Sequence, residues 1–411
     1  AGSSRAAVRA EMADASKAIR LHVFGRTDVG QIREHNEDNF LVADLSRKSR
    51  SLLESDRHQV VGERGTVLGV CDGMGGAAAG EVASQLAVDI IYEKLTQGDT
   101  PTSRDDLARR LVQSVEDAGM RIFNEARADR TRRGMGTTST IAALLDGHLF
   151  VAQVGDSRAY ILRKGELVQV TRDQSLVNQL IEAGQLTEEE AETFEHNNII
   201  LQALGTADTV QVDLTHVDLR LDDVLMICSD GLSGMIRADE MREVLTTVPD
   251  PLEACKVLTE RANLAGGHDN ITVIVARFEG DSLPVPTPAD VVKYAKYALP
   301  DAGAEPDARV SIKSLDEVAI GPKSAEALRE SRSLKVSHTM VGMTFSELEA
   351  EEPALAAGAA AARPLSNPPP VFTLDDEPVQ IPTTGLAPSM VGALVVVALI
   401  AVSVFGFLPL R

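Results

Sequence analysis

Four apolar runs in this chain each meet an aspartate. Residues 67–71 run into Asp72, 149–154 stop just before Asp156, 224–229 run into Asp230, and Asp269 opens the run 270–276. An apolar strand that ends in a carboxylate carries an expensive charge to one edge of a sheet. Four such deliveries need something that holds the charges together, and a divalent metal is the simplest answer.

The chain has 411 residues, 44% of them hydrophobic, with few aromatics. That allows one large core of about 250 residues plus additional segments. A net charge of −21 argues against nucleic acid or anionic headgroups as partners, since both are polyanions. Cys71, Cys228 and Cys255 have no paired spacing, so a disulfide framework or zinc ribbon is not expected. Buried small hydrophobes in a reducing compartment are expected instead.

Residues 1–20 are polar and charged, without the apolar stretch of a signal peptide. By contrast, the 22 residues of 389–410 carry no charge. At ~1.5 Å each they reach about 33 Å, enough for one membrane-spanning helix. The expectation is a single-pass tail anchor at the cell membrane, with the large domain on the cytoplasmic side. Before it, 281–387 holds most of the prolines, beside Ala-rich and acidic patches, a composition expected to remain largely disordered. Its most apolar island, 337–345 (SHTMVGMTF), reads as a candidate docking motif or phosphosite. The expected organisation is an N-terminal extension (1–19), a folded domain (20–280), a linker (281–387) and a transmembrane helix (388–410).

Within 20–280, strands are expected at 40–43 and 67–71, followed by helices at 80–95 and 104–128. A meander is expected at 138–145, 149–153, 159–163 and 167–170, with hairpin turns at Asp146-Gly147 and Lys164-Gly165. A polar helical insertion at 176–194 precedes a strand at 224–228, a helix at 251–265 and a last strand at 271–277. Hairpins rather than regular strand–helix alternation favour an α+β fold, a four-layer αββα sandwich of two packed antiparallel sheets flanked by helices.

The segment TDVGQIREHNEDN, read as an extended strand, places Arg33, His35 and Glu37 on one face and Asp38 on the other. An arginine beside clustered carboxylates is suited to hold a phosphate while metals occupy the acidic side. In VCDGMGGAAAGEVAS, Asp72 ends a buried strand, and Gly73, Gly75, Gly76 and Gly80 let the backbone pass close to an ion or ligand. The absence of a GK[ST] ending excludes the usual nucleotide loop.

Together these pieces resemble the metal-dependent serine/threonine protein phosphatases of the protein phosphatase 2C type, in their bacterial form. The matching stretches are DVGQIREHNED (28–38), VCDGMGG (70–76), GMGTTS (134–139), VGDSRAY (154–160), TRDQSLV (171–177), LQALG (201–205), ICSDGLS (227–233) and GHDNITVIV (267–275). The resemblance implies two ions, Mn²⁺ or Mg²⁺, with Asp72 bridging them. The Gly73 carbonyl would bind one ion, Asp230 and Asp269 the other, and Glu37 and Asp38 would stand at or just behind the ligand shell. Asp156 would join Asp230 at a third, weaker position, and Asn270 would support Asp269 through hydrogen bonds. Arg33 would hold the phosphoryl group while a metal-bridging hydroxide attacks phosphorus. The implied partners are phosphorylated proteins and the Ser/Thr kinases that the enzyme opposes. The segment 175–198 corresponds in position to the family's flap.

Four positions depart from the family pattern. Met74 and Ala77 stand where relatives carry a histidine that donates a proton to the leaving oxygen. Gln174 stands where histidine is common, and Gln202 where arginine is. The missing histidines motivate a competing reading, a pseudophosphatase that binds metal and traps phosphoproteins.

Overall fold

The computed structural model describes residues 18–50, 57–75, 79–191, 194, 198–299 and 340–341. The expected transmembrane helix and most of the expected linker lie outside this set. Among the described residues, no helix is long and apolar enough to cross a membrane.

Two antiparallel sheets form the centre. The first runs β3 (His58–Val60), β1 (Arg20–Asp28), β13 (Ile271–Glu279), β12 (Val224–Cys228), β8 (Arg158–Arg163), β9 (Glu166–Gln169). The second runs β14 (Tyr294–Lys296), β11 (Asp213–Asp218), β7 (His148–Val154), β6 (Ser139–Leu145), β4 (Thr66–Met74), β2 (Asp38–Asp44), with the short β5 (Gly136–Thr137) on the end of β4. Strands β6, β12 and β13 read as near-continuous apolar runs because both of their faces are covered.

Alternate residues of these strands fill three apolar layers. Leu21, Val23, Leu68, Val70, Val151, Ile161, Ile227, Ile274 and Phe278 pack between the sheets. The outer face of the second sheet packs on α1 (Ala79–Thr96) and α2 (Arg104–Ala128) through Ile91, Leu111, Ile122 and Phe150. That of the first packs on α6 (Ala238–Thr247) and α7 (Pro251–Leu264) through Met241, Leu245, Cys255 and Leu258. The expected αββα order follows. Helix α2 starts where the Ser103 side chain accepts the Asp106 N–H at 3.2 Å, a contact worth about 1 kcal/mol. Helix α7 starts at Asp250, which accepts the Leu252 N–H at 2.7 Å and is followed by proline. All three cysteines are free and buried in the apolar layers, and burial pushes each thiol up to about 12.

The structure corrects two expectations about the strands. Residues 29–37 form a loop, not an extended strand. Asp28 Oδ1 accepts the Gly30 N–H at 3.1 Å and Asn36 Oδ1 accepts the Asp38 N–H at 3.1 Å, so side chains take the backbone donors that a ladder would use. The meander divides between the sheets, β6 and β7 in the second and β8 and β9 in the first. The chain crosses at Gly155, whose φ of +99° turns it out of the sheet. Both hairpin turns form as expected, with φ of 50° and 80° at Asp146-Gly147 and 53° and 80° at Lys164-Gly165.

The polar insertion is two short helices, α3 (Leu176–Glu182) and α4 (Glu188–Ala191), parted at Gly184 by a left-handed φ of +67°. It is followed by β10 (Ile199–Ile200), which pairs in parallel with β15 (Met340–Val341) from the apolar island of the linker. The short helix α5 (Asp230–Ser233) begins at the end of β12.

Candidate metal centre

Antiparallel pairing sends one end of each sheet to the same place. There β2 begins at Asp38, β4 carries Asp72 near its end, β7 hands over to Asp156, β12 to Asp230, and Asp269 immediately precedes β13. Asp38 and Asp72 are direct cross-strand partners. The backbones converge closely, since a Cβ on Gly73 would lie 2.3 Å from the Gly80 carbonyl oxygen and 2.4 Å from that of Glu37. A side chain at Gly80 would meet the Glu37 carboxylate at 2.8 to 2.9 Å, so glycine there leaves the carboxylate its room.

Each acidic residue is positioned by named contacts. Asp38 Oδ2 accepts the Ser229 hydroxyl at 2.8 Å. The Asp72 backbone is tied on both sides: its N–H donates to Thr138 Oγ1 at 3.0 Å and its carbonyl accepts the Thr138 N–H at 2.8 Å. Thr138 in turn shares a 2.8 Å hydrogen bond with Ser157, next to Asp156. Arg158 and Asp173 pair at 2.7 Å behind Asp156. Arg33 reaches Asp269 Oδ2 at 2.8 Å.

Asn270 holds the loop that presents Arg33 and Glu37. Its Oδ1 accepts the Glu37 N–H at 2.8 Å, and its Nδ2 donates to the carbonyls of Val29 at 3.0 Å and His35 at 2.9 Å. Asp269 is supported by the backbone N–H of Asn270, at 2.8 Å, rather than by the side chain. His35 itself is exposed, and what it gives this network is its carbonyl.

The electrostatics are those of crowded acids. Burial, then Asp38, Asp230, Asp269 and Asp156, push the Asp72 carboxyl well above its ordinary range. Burial, then Asp230 and Asp173, do the same to Asp156, and burial with Asp269 raises Asp230. Asp38 is pushed up to about 7, chiefly by burial. Asp38 Oδ1 and Asp230 Oδ1 are buried without a protein hydrogen-bond partner. Orphaned carboxylate oxygens of this kind are costly, and oxygen donors clustered around them fit hard divalent cations such as Mg²⁺ or Mn²⁺. The sequence-predicted set Arg33, Glu37, Asp38, Asp72, Gly73, Asp156, Asp230, Asp269 and Asn270 is thus brought together as one cluster.

Sequence reasoning did not single out Ser229, Thr138, Ser157 or the Arg158–Asp173 pair. All lie inside the matching stretches, but small hydroxyls and an ordinary ion pair gave no signal of their own. The two unusual glutamines are bonded to each other, Gln202 Nε2 to Gln174 Oε1 at 3.2 Å. Gln174 Oε1 also accepts the Gly155 N–H at 2.9 Å, and its Nε2 donates to Asp213 at 3.0 Å. The pair fastens the base of the α3–α4 segment to the crossover that carries Asp156.

Two packed antiparallel sheets, with helices outside and a carboxylate cluster beside one arginine at a shared sheet end, define a class of proteins that work on phosphate through divalent ions. The family model described as Protein phosphatase 2C matches residues 45–265, and the chain belongs to that family. It is 34% identical to the serine/threonine phosphatase stp of Listeria monocytogenes over 255 residues, which are 62% of this chain and 95% of that one. It is similar to the crystal structure of the Mycobacterium tuberculosis serine/threonine phosphatase PstP/Ppp, with a TM-score of 0.54, 34% identity, and coverage of 63% of this chain and 99% of that one. A crystal structure of the PstP catalytic domain in complex with two manganese ions matches with a TM-score of 0.53 and 32% identity, covering 64% of this chain and 99% of that one.

Proposed function

We propose that this chain is a metal-dependent protein serine/threonine phosphatase in which Asp72, Asp230 and Asp269, with Glu37, Asp38, Asp156 and the Gly73 carbonyl, hold Mn²⁺ or Mg²⁺. The observation that carries the reading is the convergence of five aspartates and Arg33 at one sheet end, with buried carboxylate oxygens lacking protein partners. When bound, the ions supply Lewis-acid charge and lower the pKa of the water that displaces the serine or threonine oxygen from phosphorus.

The protein residues do the rest. The aspartates fix the positions of the ions, and their negative charge repels a phosphate monoester until cations are present. Arg33, partly open to solvent and held by Asp269 at the edge of the carboxylate cluster, would bind the phosphoryl oxygens and offset their charge. Asn270 keeps the Arg33 loop in register with the aspartates. With methionine at position 74, proton delivery to the leaving oxygen falls to water, which slows the step without preventing it.

Phosphoproteins made by Ser/Thr kinases are the substrates this reading implies. The uncharged run 389–410 supports a membrane tether that would concentrate the enzyme near membrane-bound kinases. Recovery of the full chain in the membrane fraction, and its loss on deleting that run, is the test of the tether.

Activity is tested by phosphate release from a phosphothreonine peptide by the full chain with Mn²⁺, with Mg²⁺ and with chelator, alongside Asp230→Asn. Metal-dependent release that disappears in the variant is expected. Stoichiometric metal binding without release would instead leave a phosphoprotein-binding module.

A further inference from the structure

At the other end of the second sheet lies a cluster that the phosphatase chemistry does not use. Asp218, near the end of β11, sits directly opposite His148 at the start of β7, and His216 is two residues before Asp218 on the same face. Strand β7 runs from His148 to Val154, next to Asp156. Six residues at ~3.3 Å place the cluster about 20 Å along the strand from the carboxylate centre.

Three donor atoms meet there. His148 Nδ1 is 2.8 Å from Asp218 Oδ1, His216 Nε2 is 3.3 Å from the same oxygen, and the two ring nitrogens are 3.3 Å apart. A tetrahedral ion with bonds of about 2.0–2.1 Å separates its donors by roughly 3.3–3.4 Å. Two edges of the triangle therefore already have that length. The third is shorter, as expected where a ring N–H and a carboxylate share a proton that an ion would replace.

The surroundings favour an ion. The His216 ring is held by Phe150 and Tyr297, with centroids at 5.1 and 5.6 Å, so its nitrogen is aimed and has little rotamer freedom to lose. The Asp218 side chain is 53% exposed, which leaves an entry path and a fourth position open to water. Two imidazoles and one carboxylate suit Zn²⁺, Co²⁺ or Ni²⁺, and are a poor match for Mg²⁺, which prefers all-oxygen octahedra.

We propose that His148, His216 and Asp218 form a second, tetrahedral metal site for a borderline transition ion of the Zn²⁺ class, separate from the phosphatase centre. Such an ion clips β7 to β11 at the outer part of the sheet. It stiffens the edge on which β14 pairs with β11, where the Tyr297 N–H also donates to the Leu214 carbonyl at 2.8 Å. The molecule then sorts metals by ligand chemistry, hard ions to the carboxylate end and borderline ions to the histidine end.

The test is titration of the full chain with Co²⁺ in the presence of excess Mg²⁺, which keeps the oxygen-rich centre filled. Tetrahedral Co²⁺ gives intense visible d–d bands, whereas octahedral oxygen sites give weak ones. One equivalent of tetrahedral Co²⁺, displaced by Zn²⁺, is expected in the parent protein. His216→Ala and the more exposed His148→Gln should each weaken binding by about tenfold or more, with Mg²⁺-supported phosphatase activity retained. Absence of the tetrahedral bands in the parent, or their persistence in both variants, would overturn the assignment.

Discussion

Asp223 and Asp230 flank the same strand, β12, and present opposite solutions to a buried carboxylate. Asp223 is fully buried and accepts from Arg163 Nε at 2.9 Å and Nη2 at 2.7 Å, while the Arg220 N–H adds a third bond at 2.8 Å. Arg163 is completed in turn by the Asp218 carbonyl at 2.8 Å. Asp230 instead stands among Asp72, Asp269 and Asp156, and its Oδ1 has no protein partner. The first charge is neutralised by the chain itself and serves the fold. The second is left for cations and weakens the ion-free fold, so its retention is explained by chemistry rather than stability.

Substitutions in the carboxylate centre and in the Arg163–Asp223 pair should therefore have opposite signatures. Asp72→Asn should lower kcat by roughly a thousandfold, about 4 kcal/mol of barrier, while leaving the metal-free protein equally or more stable. Steady-state hydrolysis and urea unfolding read the two effects. Arg163→Leu should do the reverse, costing about 3–5 kcal/mol of stability because Asp223 is left buried and unpaired. Activity per folded molecule should be retained, and a large loss of it would break the comparison.

Ser229→Ala sharpens it by removing a hydroxyl that holds Asp38. Metal-free stability should fall by about 1 kcal/mol, and Mn²⁺ affinity, measured calorimetrically, should fall because Asp38 then gives up its proton less readily.

The pH dependence follows from the same crowding. Asp38 is pushed up to about 7 from an ordinary value near 3.8, and Asp72, Asp156 and Asp230 move in the same direction. A carboxyl whose folded value lies above its unfolded one binds protons more tightly when folded. Its contribution is fully present below about 4 and is lost as pH rises through about 7. In chelator, the part of the stability set by these groups should thus decline from pH 5 to 8. Saturating Mn²⁺ should remove or reverse the decline. A metal-free stability that rises over this range would contradict the assignment of the crowded acids.

Much of this arrangement was legible in the chain because strand ends and charges are local features. Apolar runs meeting Asp72, Asp156, Asp230 and Asp269 marked both the sheets and the shared edge, and the two Xaa-Gly turns fixed the hairpins. The division of the meander between two sheets was not legible, since it depends on one left-handed glycine, Gly155, and on Gln174 holding its N–H. The loop at 29–37 was misread as a strand because alternation of Arg33, His35 and Glu37 mimics a period of two. In fact Asp28 and Asn36 cap the backbone locally. The pairing of His148 with His216 and Asp218 depends on β7–β11 register, which no local pattern encodes.

The most direct measurement is equilibrium unfolding of the full chain and of Asp72→Asn, each in chelator and in saturating Mn²⁺. The account predicts that the variant is at least as stable as the parent in chelator, and that Mn²⁺ stabilises the parent strongly and the variant little. A variant markedly less stable than the parent in chelator would show that the carboxylate cluster holds the fold together, contradicting the claim that it is retained for bound metal.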